Sequence, residues 1–156
     1  PNNILLGRSG EVELMNAGVV FEPQGAEKFA AKFSVFGTPH YISPEALKGY
    51  PPDPMTDIYA LGVLAYDLVT GVKPFEGETL EELRKQHLED EVTAPHEVMK
   101  ALPKEVGELL VWMLQKSPND RPTATKLVST LERVEKSIKR TGMTQKFQAF
   151  DPNEKS

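Results

Sequence analysis

The stretch DIYALGVLAYDLVT, residues 57–70, decides the fold we expect for this chain. Apolar residues occur on almost every side of it at helical spacing, and Gly71 follows as a stop signal. A helix that is apolar all the way round belongs inside a protein. We therefore predict a central buried helix, with Thr56 as its N-cap and Asp57 in its first turn.

The segments on either side of this helix predict a mainly α architecture without internal repeats. Before it, two short strands joined by a glycine-flanked turn form a hairpin, and a long loop follows. After it come three more helices, the first of which begins with a capping box formed by Thr79 and Glu82. The predicted ranges are strands 4–6 and 12–15, loop 19–36, and helices 79–89, 104–116 and 123–140.

The last predicted helix has apolar residues at helical spacing, which predicts one buried stripe. Its members are Leu127, Val128, Leu131, Val134 and Ile138.

Composition limits the function classes. The chain has 156 residues, 39% of them hydrophobic, which suits one compact domain. With no cysteine there is no disulfide and no thiolate chemistry, and we expect a cytoplasmic location. A net charge of −5 does not suggest a nucleic-acid partner. The visible chain has no apolar run long enough for a membrane span, and its opening on Pro1 suggests a piece of something longer.

Four segments together carry a family resemblance: PNNILL at 1–6, GTPHYISPEAL at 37–47, TDIYALGVLAYDLVTGVKPFEG at 56–77 and SPNDRPT at 117–123. In this order and spacing they resemble the C-terminal lobe of a eukaryotic-like serine/threonine protein kinase of the kind also found in bacteria. The resemblance implies a kinase C-lobe at residues 1–140, with the N-lobe and the start of the catalytic loop upstream, and an extension or linker at 141–156. It also implies ATP and Mg²⁺ as cofactors, and a protein substrate or signalling partner.

The resemblance assigns roles to residues near the reaction. Asn3 matches the asparagine that ends the catalytic loop and holds magnesium, although on residue type alone it is a turn former. Gly37, Thr38, Pro39 and Tyr41 match the loop that seats the substrate peptide, for which the alternative is a plain Thr-Pro turn. In the family the threonine hydroxyl bonds the catalytic aspartate and lysine, which would lie before the first residue of this chain.

Other matching residues have structural roles. The segment SPE, residues 43–45, matches the family's A-P-E, whose glutamate forms a buried ion pair with the arginine of the later R-P-T segment. Here these residues are Glu45 and Arg121, and a carboxylate and a guanidinium can meet bidentately. Asp57 matches an aspartate that accepts hydrogen bonds from the catalytic loop, and it is equally well explained as a partner of the helix dipole.

Two further groups of residues have weaker signals. Ser34 lies four residues before Thr38, where bacterial relatives often carry a regulatory phosphorylation, or it is simply a polar loop residue. His40, His87 and His96 are not spaced as metal ligands or as a triad, so we predict surface or turn positions for them.

The sequence departs from the family at one motif. Thirteen positions after Asn3, where the family has D-F-G, this chain has Asn16, Ala17 and Gly18, so only the glycine is kept. An amide lacks the full charge that Mg²⁺ prefers, and alanine lacks the packing ring. The leading hypothesis is a catalytically impaired pseudokinase that acts in signalling or as a protein-binding scaffold.

Two alternatives stay open. One is an active ATP-dependent serine/threonine kinase that tolerates the asparagine when the C-lobe is joined to its N-lobe. The other is an isolated C-lobe, which lacks the parts that hold ATP and is inactive alone.

Overall fold

The structure is a computed structural model that describes residues 3–15 and 39–140. These residues form a two-stranded antiparallel sheet and a helical body, which confirms the predicted mainly α class. The strands and α-helices are β1 (Ile4–Leu6), β2 (Val12–Leu14), α1 (Pro44–Leu47), α2 (Pro54–Thr70), α3 (Leu80–Glu89), α4 (Pro95–Val98), α5 (Lys104–Met113) and α6 (Ala124–Arg140). Single turns of 3-10 helix occupy Pro39–Tyr41 and Pro118–Asp120.

The predicted hairpin is confirmed, with β2 ending one residue earlier than expected. Ile4 lies opposite Leu14, and Leu6 lies opposite Val12. Gly10 makes the turn with a φ of 90°, a value that glycine adopts without strain. Glu11 and Gly7 close the turn through a backbone hydrogen bond of 2.8 Å.

The central helix α2 begins three residues before the predicted start. Asp53 is its N-cap, and one carboxylate oxygen accepts hydrogen bonds from the N–H groups of Met55 and Thr56 at 2.7 and 3.1 Å. The Thr56 hydroxyl accepts from the N–H of Asp53 at 3.2 Å, which completes a capping box. The prediction of Thr56 as the cap is therefore wrong, because Pro54 is pre-organised for the first helical position and Asp53 caps it.

Helix α2 divides the core into two clusters and ends as predicted at Gly71, which has a φ of 75°. The first cluster contains Tyr59, Val63, Tyr66, Phe75, Leu83 and Leu114. The second contains Ile58, Leu109, Leu110, Met113 and Leu127. The helix is not buried on every face, however, since Leu61 and Leu68 are 45% and 75% exposed. Both side chains are therefore accessible at the surface of the described ranges.

The capping box of α3 is confirmed, and α5 is shorter than predicted. The N–H of Glu82 donates to the Thr79 hydroxyl at 3.1 Å, and the N–H of Thr79 donates to the Glu82 carboxylate at 3.3 Å. Helix α5 ends at Met113, three residues before the predicted end. The short helices α1 and α4 were not predicted.

The apolar stripe of α6 is narrower than predicted. Leu127 and Val134 are buried, but Val128 and Leu131 are 57% and 49% exposed, so their predicted burial is wrong. Of the described elements, α5 makes the main contact with α6, and a single partner helix covers only one side. The Thr123 hydroxyl accepts a hydrogen bond from the N–H of Lys126 at 3.3 Å, so the predicted start of this helix is confirmed.

Candidate functional site

Asn3 lies at the open end of the hairpin, directly before β1. Its carbonyl oxygen accepts a hydrogen bond of 2.7 Å from the N–H of Met15. Met15, which precedes Asn16 in the sequence, is thus paired with Asn3 at the open end of the hairpin. Asn16 and Gly18 themselves lie outside the described residues.

The predicted donor set does not fit a complete Mg²⁺ site. Asn3 and Asn16 each provide an amide oxygen, whereas proteins bind this ion through one or two carboxylates together with the substrate phosphates. Within residues 3–15 and 39–140, no group of three or more histidine, cysteine, aspartate or glutamate side chains is arranged to hold a metal ion.

The C-terminal end of the predicted substrate loop is held against α2 through Tyr41. Gly37, Thr38 and Ser34 lie outside the described residues, and Pro39 begins the first 3-10 turn. The Tyr41 hydroxyl donates to the Asp67 carboxylate at 3.4 Å, and its ring packs against the first core cluster. Partial burial, together with the nearby Asp67 charge, raises the pKa of Tyr41. The hydroxyl therefore stays protonated and remains a hydrogen-bond donor to Asp67.

Glu45 and Arg121, which are 76 residues apart in sequence, form a bidentate ion pair. The two terminal nitrogens of Arg121 donate to the two carboxylate oxygens of Glu45 at 2.8 and 2.7 Å. The Arg121 side chain is fully buried, and that of Glu45 is 9% exposed. Burial has the largest single effect and by itself would raise the pKa of Glu45, but the hydrogen bonds from Arg121, the Glu45 backbone and Ser43, together with the Arg121 charge, outweigh it, so the pKa is lowered. Glu45 is therefore ionised at neutral pH.

All five N–H donors of the Arg121 guanidinium have acceptors. Besides the two bonds to Glu45, three reach the backbone carbonyls of Met55, Gln115 and Lys116 at 2.8, 2.7 and 3.1 Å. The carbonyls of Gln115 and Lys116 lie just beyond the end of α5. Arg121 therefore donates to carbonyl groups that would be bonded within the helix if α5 were longer. The guanidinium also lies 4.8 Å from the centre of the Tyr59 ring, within range of a cation–π contact.

Ser43 stands where the family's motif has alanine, and the structure explains the difference. Its side chain is 1% exposed and caps α1, accepting a hydrogen bond from the N–H of Ala46 at 3.3 Å. An alanine could not cap this helix. The Thr56 hydroxyl donates to Glu45 at 3.0 Å, so the start of α2 is also tied to α1.

The comparisons with known proteins identify the family of the chain. The family model of the protein kinase domain matches residues 1–131. The chain belongs to the protein kinase family. The predicted resemblance to bacterial-type serine/threonine kinases is thereby confirmed.

Three relatives of this kinase-family chain illustrate the match. A probable serine/threonine-protein kinase of Clostridium perfringens is 32% identical over 87% of this chain and 20% of its own length. The probable serine/threonine-protein kinase PknB of Corynebacterium glutamicum is 33% identical over 88% of this chain and 22% of its own. Serine/threonine-protein kinase PknL of Mycobacterium tuberculosis is 33% identical over 78% of this chain and 30% of its own length. The chain thus spans only about a fifth to a third of each of these relatives.

His87 is buried in this kinase-family domain, so the predicted surface or turn position is wrong. It is 1% exposed and packs 4.9 Å from the Phe75 ring, and its Nδ1 shares a 2.8 Å hydrogen bond with the Tyr59 hydroxyl. Burial, with Lys116 and His40 nearby, lowers its pKa to about 4, and the imidazole is neutral. The sequence contained a signal for this position, because His87 follows the buried Leu83 by four residues and shares its helix face.

Lys116 joins the end of α3 to the same cluster. Its ammonium group donates to the carbonyls of Gln86 and His87, both at 2.9 Å, and lies 4.2 Å from the centre of the Phe75 ring. Burial lowers the pKa of Lys116 to about 8. Lys116 therefore caps the C-terminal end of α3, where a cation is favoured by the helix dipole.

Asp57 is exposed in the first turn of α2, where a negative charge is favourable. Apart from Asn3, the catalytic-loop backbone that the resemblance places beside this aspartate lies outside the described residues. None of the helices in the described ranges has the length and apolar character that a bilayer crossing requires.

Proposed function

We propose that residues 1–140 are the C-lobe of a serine/threonine protein kinase domain that is impaired in phosphoryl transfer and acts in signalling as a protein-binding scaffold. The kinase-domain match establishes the family membership. Within that family, this chain has lost the D-F-G aspartate and phenylalanine but has kept the asparagine of the catalytic loop and the residues of the substrate loop. A cytoplasmic location is part of the proposal, since a chain without cysteine needs no oxidising compartment to fold.

The replacement of D-F-G by Asn16, Ala17 and Gly18 is the observation that carries the proposal. Support for this alignment comes from the hydrogen bond between Met15 and Asn3, which sets residue 15 beside the predicted metal-binding asparagine. With an amide at position 16, the family's Mg²⁺ loses a charged ligand.

A scaffold role is supported by how firmly the C-terminal end of the substrate loop and the segment after it are held. The Tyr41 hydroxyl donates a hydrogen bond to Asp67 of α2, and the Glu45 carboxylate accepts hydrogen bonds from Arg121 and Thr56. None of these contacts involves the altered motif. We therefore propose that Gly37, Thr38, Pro39 and Tyr41 serve a protein partner at this surface, with Ser34 as a phosphorylation site that regulates it. That role requires no magnesium.

An active kinase is the competing function, and a specific observation favours it. Asn3 and Thr38, the two retained residues of the predicted reaction site, have the side chains that the family uses. A kinase that keeps them and tolerates Asn16 would transfer phosphate once joined to its N-lobe.

The deciding experiment measures phosphoryl transfer by the complete kinase domain, including the residues upstream of this chain. Transfer from ATP to a serine/threonine peptide library is measured with Mg²⁺ and with Mn²⁺, for the natural sequence and for the Asn16→Asp/Ala17→Phe variant. Restoring a preorganised charge should raise the rate by about 10² or more.

The matched control is Asn119→Asp, which adds the same charge at an exposed position in the second 3-10 turn and should leave the rate unchanged. If the natural sequence turns over as fast as the restored variant, the domain is an active kinase and the proposed impairment is wrong.

A further inference from the structure

An open groove of about 350 Å³ lies between α5 and α6, and none of the residues assigned above to the kinase reaction lines it. Its floor is apolar and its two edges carry opposite charges. The floor residues are Leu109, Trp112 and Val134, and the edge residues are Glu105 and Glu108 on α5 and Arg133 on α6.

Trp112 gives the groove a fixed aromatic wall. Its indole N–H donates to the carbonyl of Asp120 at 2.8 Å, and its ring packs against the second core cluster. The side chain is only partly buried. A ring held in this way can receive another aromatic side chain at little entropic cost, because it has already lost its rotational freedom.

The chain itself provides a candidate occupant. Helix α6 lines the groove as far as Ser137 and ends at Arg140, after which the sequence continues as TGMTQKFQAFDPNEKS. Phe147 and Phe150 are the two aromatic residues of this otherwise largely polar extension. Seven residues separate Phe147 from Arg140 and can span about 23–25 Å, whereas the groove follows α6 for about 10 Å from Thr130 to Ser137. The extension is therefore long enough to return along the groove.

The charges of the extension complement those of the groove edges. Lys146 precedes Phe147, and Asp151 follows Phe150. On the α5 edge, Glu108 pairs with Lys104 at 3.2 Å, while Glu105 forms no ion pair within the part of the chain that the structure describes. Glu105 is thus available to a lysine of the extension. Arg133, on the other edge, suits an acidic residue.

We propose that the groove between α5 and α6 is a docking site for the C-terminal extension, residues 141–156, which seats Phe147 and Phe150 against Trp112. The contact would add residues 141–156 to the body of the lobe beyond the end of α6. It does not depend on catalysis, so its test is independent of the proposed function.

The test uses Trp112, which is the only tryptophan in the chain and lies in the groove. In the full chain, Phe147→Ala/Phe150→Ala should shift the Trp112 emission to longer wavelength and raise its quenching by acrylamide, because the indole becomes more exposed to water. The matched control, Gln145→Ala/Gln148→Ala, changes the same number of side chains in the same extension and should leave both readings at the values of the natural chain.

Two results would overturn the proposal. Equal emission and quenching in the natural chain and the phenylalanine variant would mean that the extension does not cover Trp112. A difference that disappears on dilution would mean that the groove binds the extension of a second copy. Thermal unfolding followed by circular dichroism checks that both variants keep the helical body, since all four substituted positions lie beyond the end of α6.

Discussion

Replacing Glu45 with glutamine should destabilise the domain strongly, because it leaves the buried Arg121 cation without its counter-charge. The carbonyl oxygen of a glutamine can still accept one N–H from Arg121, but its NH₂ group would meet a second N–H where the carboxylate oxygen now lies 2.7 Å away. Both side chains are almost completely buried, so water cannot take the place of the lost acceptor. Breaking such a pair from one side costs about 3–5 kcal/mol of unfolding free energy.

The expected change in melting temperature follows from the size of the chain. For a protein of about 150 residues, 1 kcal/mol corresponds to about 2–4 °C, so Glu45→Gln should lower the Tm by about 6–20 °C. The measurement is thermal unfolding of the full chain, followed by circular dichroism at neutral pH, where Glu45 is ionised. A matched control is Glu135→Gln, which removes a carboxylate from an exposed pair with Lys139 on α6. Exposed pairs contribute little, so its Tm should stay close to that of the natural chain.

A double replacement separates the pair from the other bonds of Arg121. Exchanging a buried ion pair for apolar residues is often neutral. Here Glu45→Leu/Arg121→Leu should remain destabilised, since three backbone carbonyls lose their donor. The reasoning is refuted if Glu45→Gln melts no lower than Glu135→Gln, or if the double variant is as stable as the natural chain.

Two further predictions concern His87 and the cap of α2. The pKa of His87 is lowered from 6.5 to about 4. The neutral imidazole therefore contributes its full stabilisation above pH 6.5, and up to about 3 kcal/mol of unfolding free energy is lost as the pH falls toward 4. Between about pH 7.5 and pH 5.0, the free energy of unfolding measured in urea should therefore fall by about 2 kcal/mol more for the natural chain than for His87→Gln. Equal falls in the two proteins would contradict the low pKa of His87. Asp53→Ala should lower the free energy of unfolding by about 1 kcal/mol in the same assay, because it removes the N-cap of α2. The control Ser117→Ala should lower it by less, since Ser117 makes no side-chain capping bond. Equal decreases would argue against the cap.

Sequence signals that lie within one turn of a helix predicted the structure well. The capping box of α3 and the stop at Gly71 depend only on residues three or four positions apart, and both are confirmed. The start of α2 was missed although its signal is equally local. Asp53 and Pro54 form a cap followed by a favoured first position, but the apolar run that predicted the helix begins only at residue 57.

Features set by distant parts of the chain were not predictable from local pattern. The burial of His87 depends on Tyr59, which is 28 residues away, and the exposure of Val128 and Leu131 depends on which helices cover α6. The contact between Glu45 and Arg121 was expected only from the family resemblance, since no periodicity links residues 76 positions apart. Helical spacing shows which residues share a face, but it does not say what packs on that face.

The bonds of Arg121 have a consequence for the motions open to this domain. Its guanidinium joins α1, the first turn of α2 and the chain after α5, so the chain beyond the predicted substrate loop cannot separate from the body without breaking contacts in all three places. Residues 43–47 should therefore belong to the same cooperative unit as the central helix and open only when that unit unfolds. Residues 43–47 then serve as a fixed attachment for the chain that precedes them, because Glu45 and Arg121 hold them on the helical body.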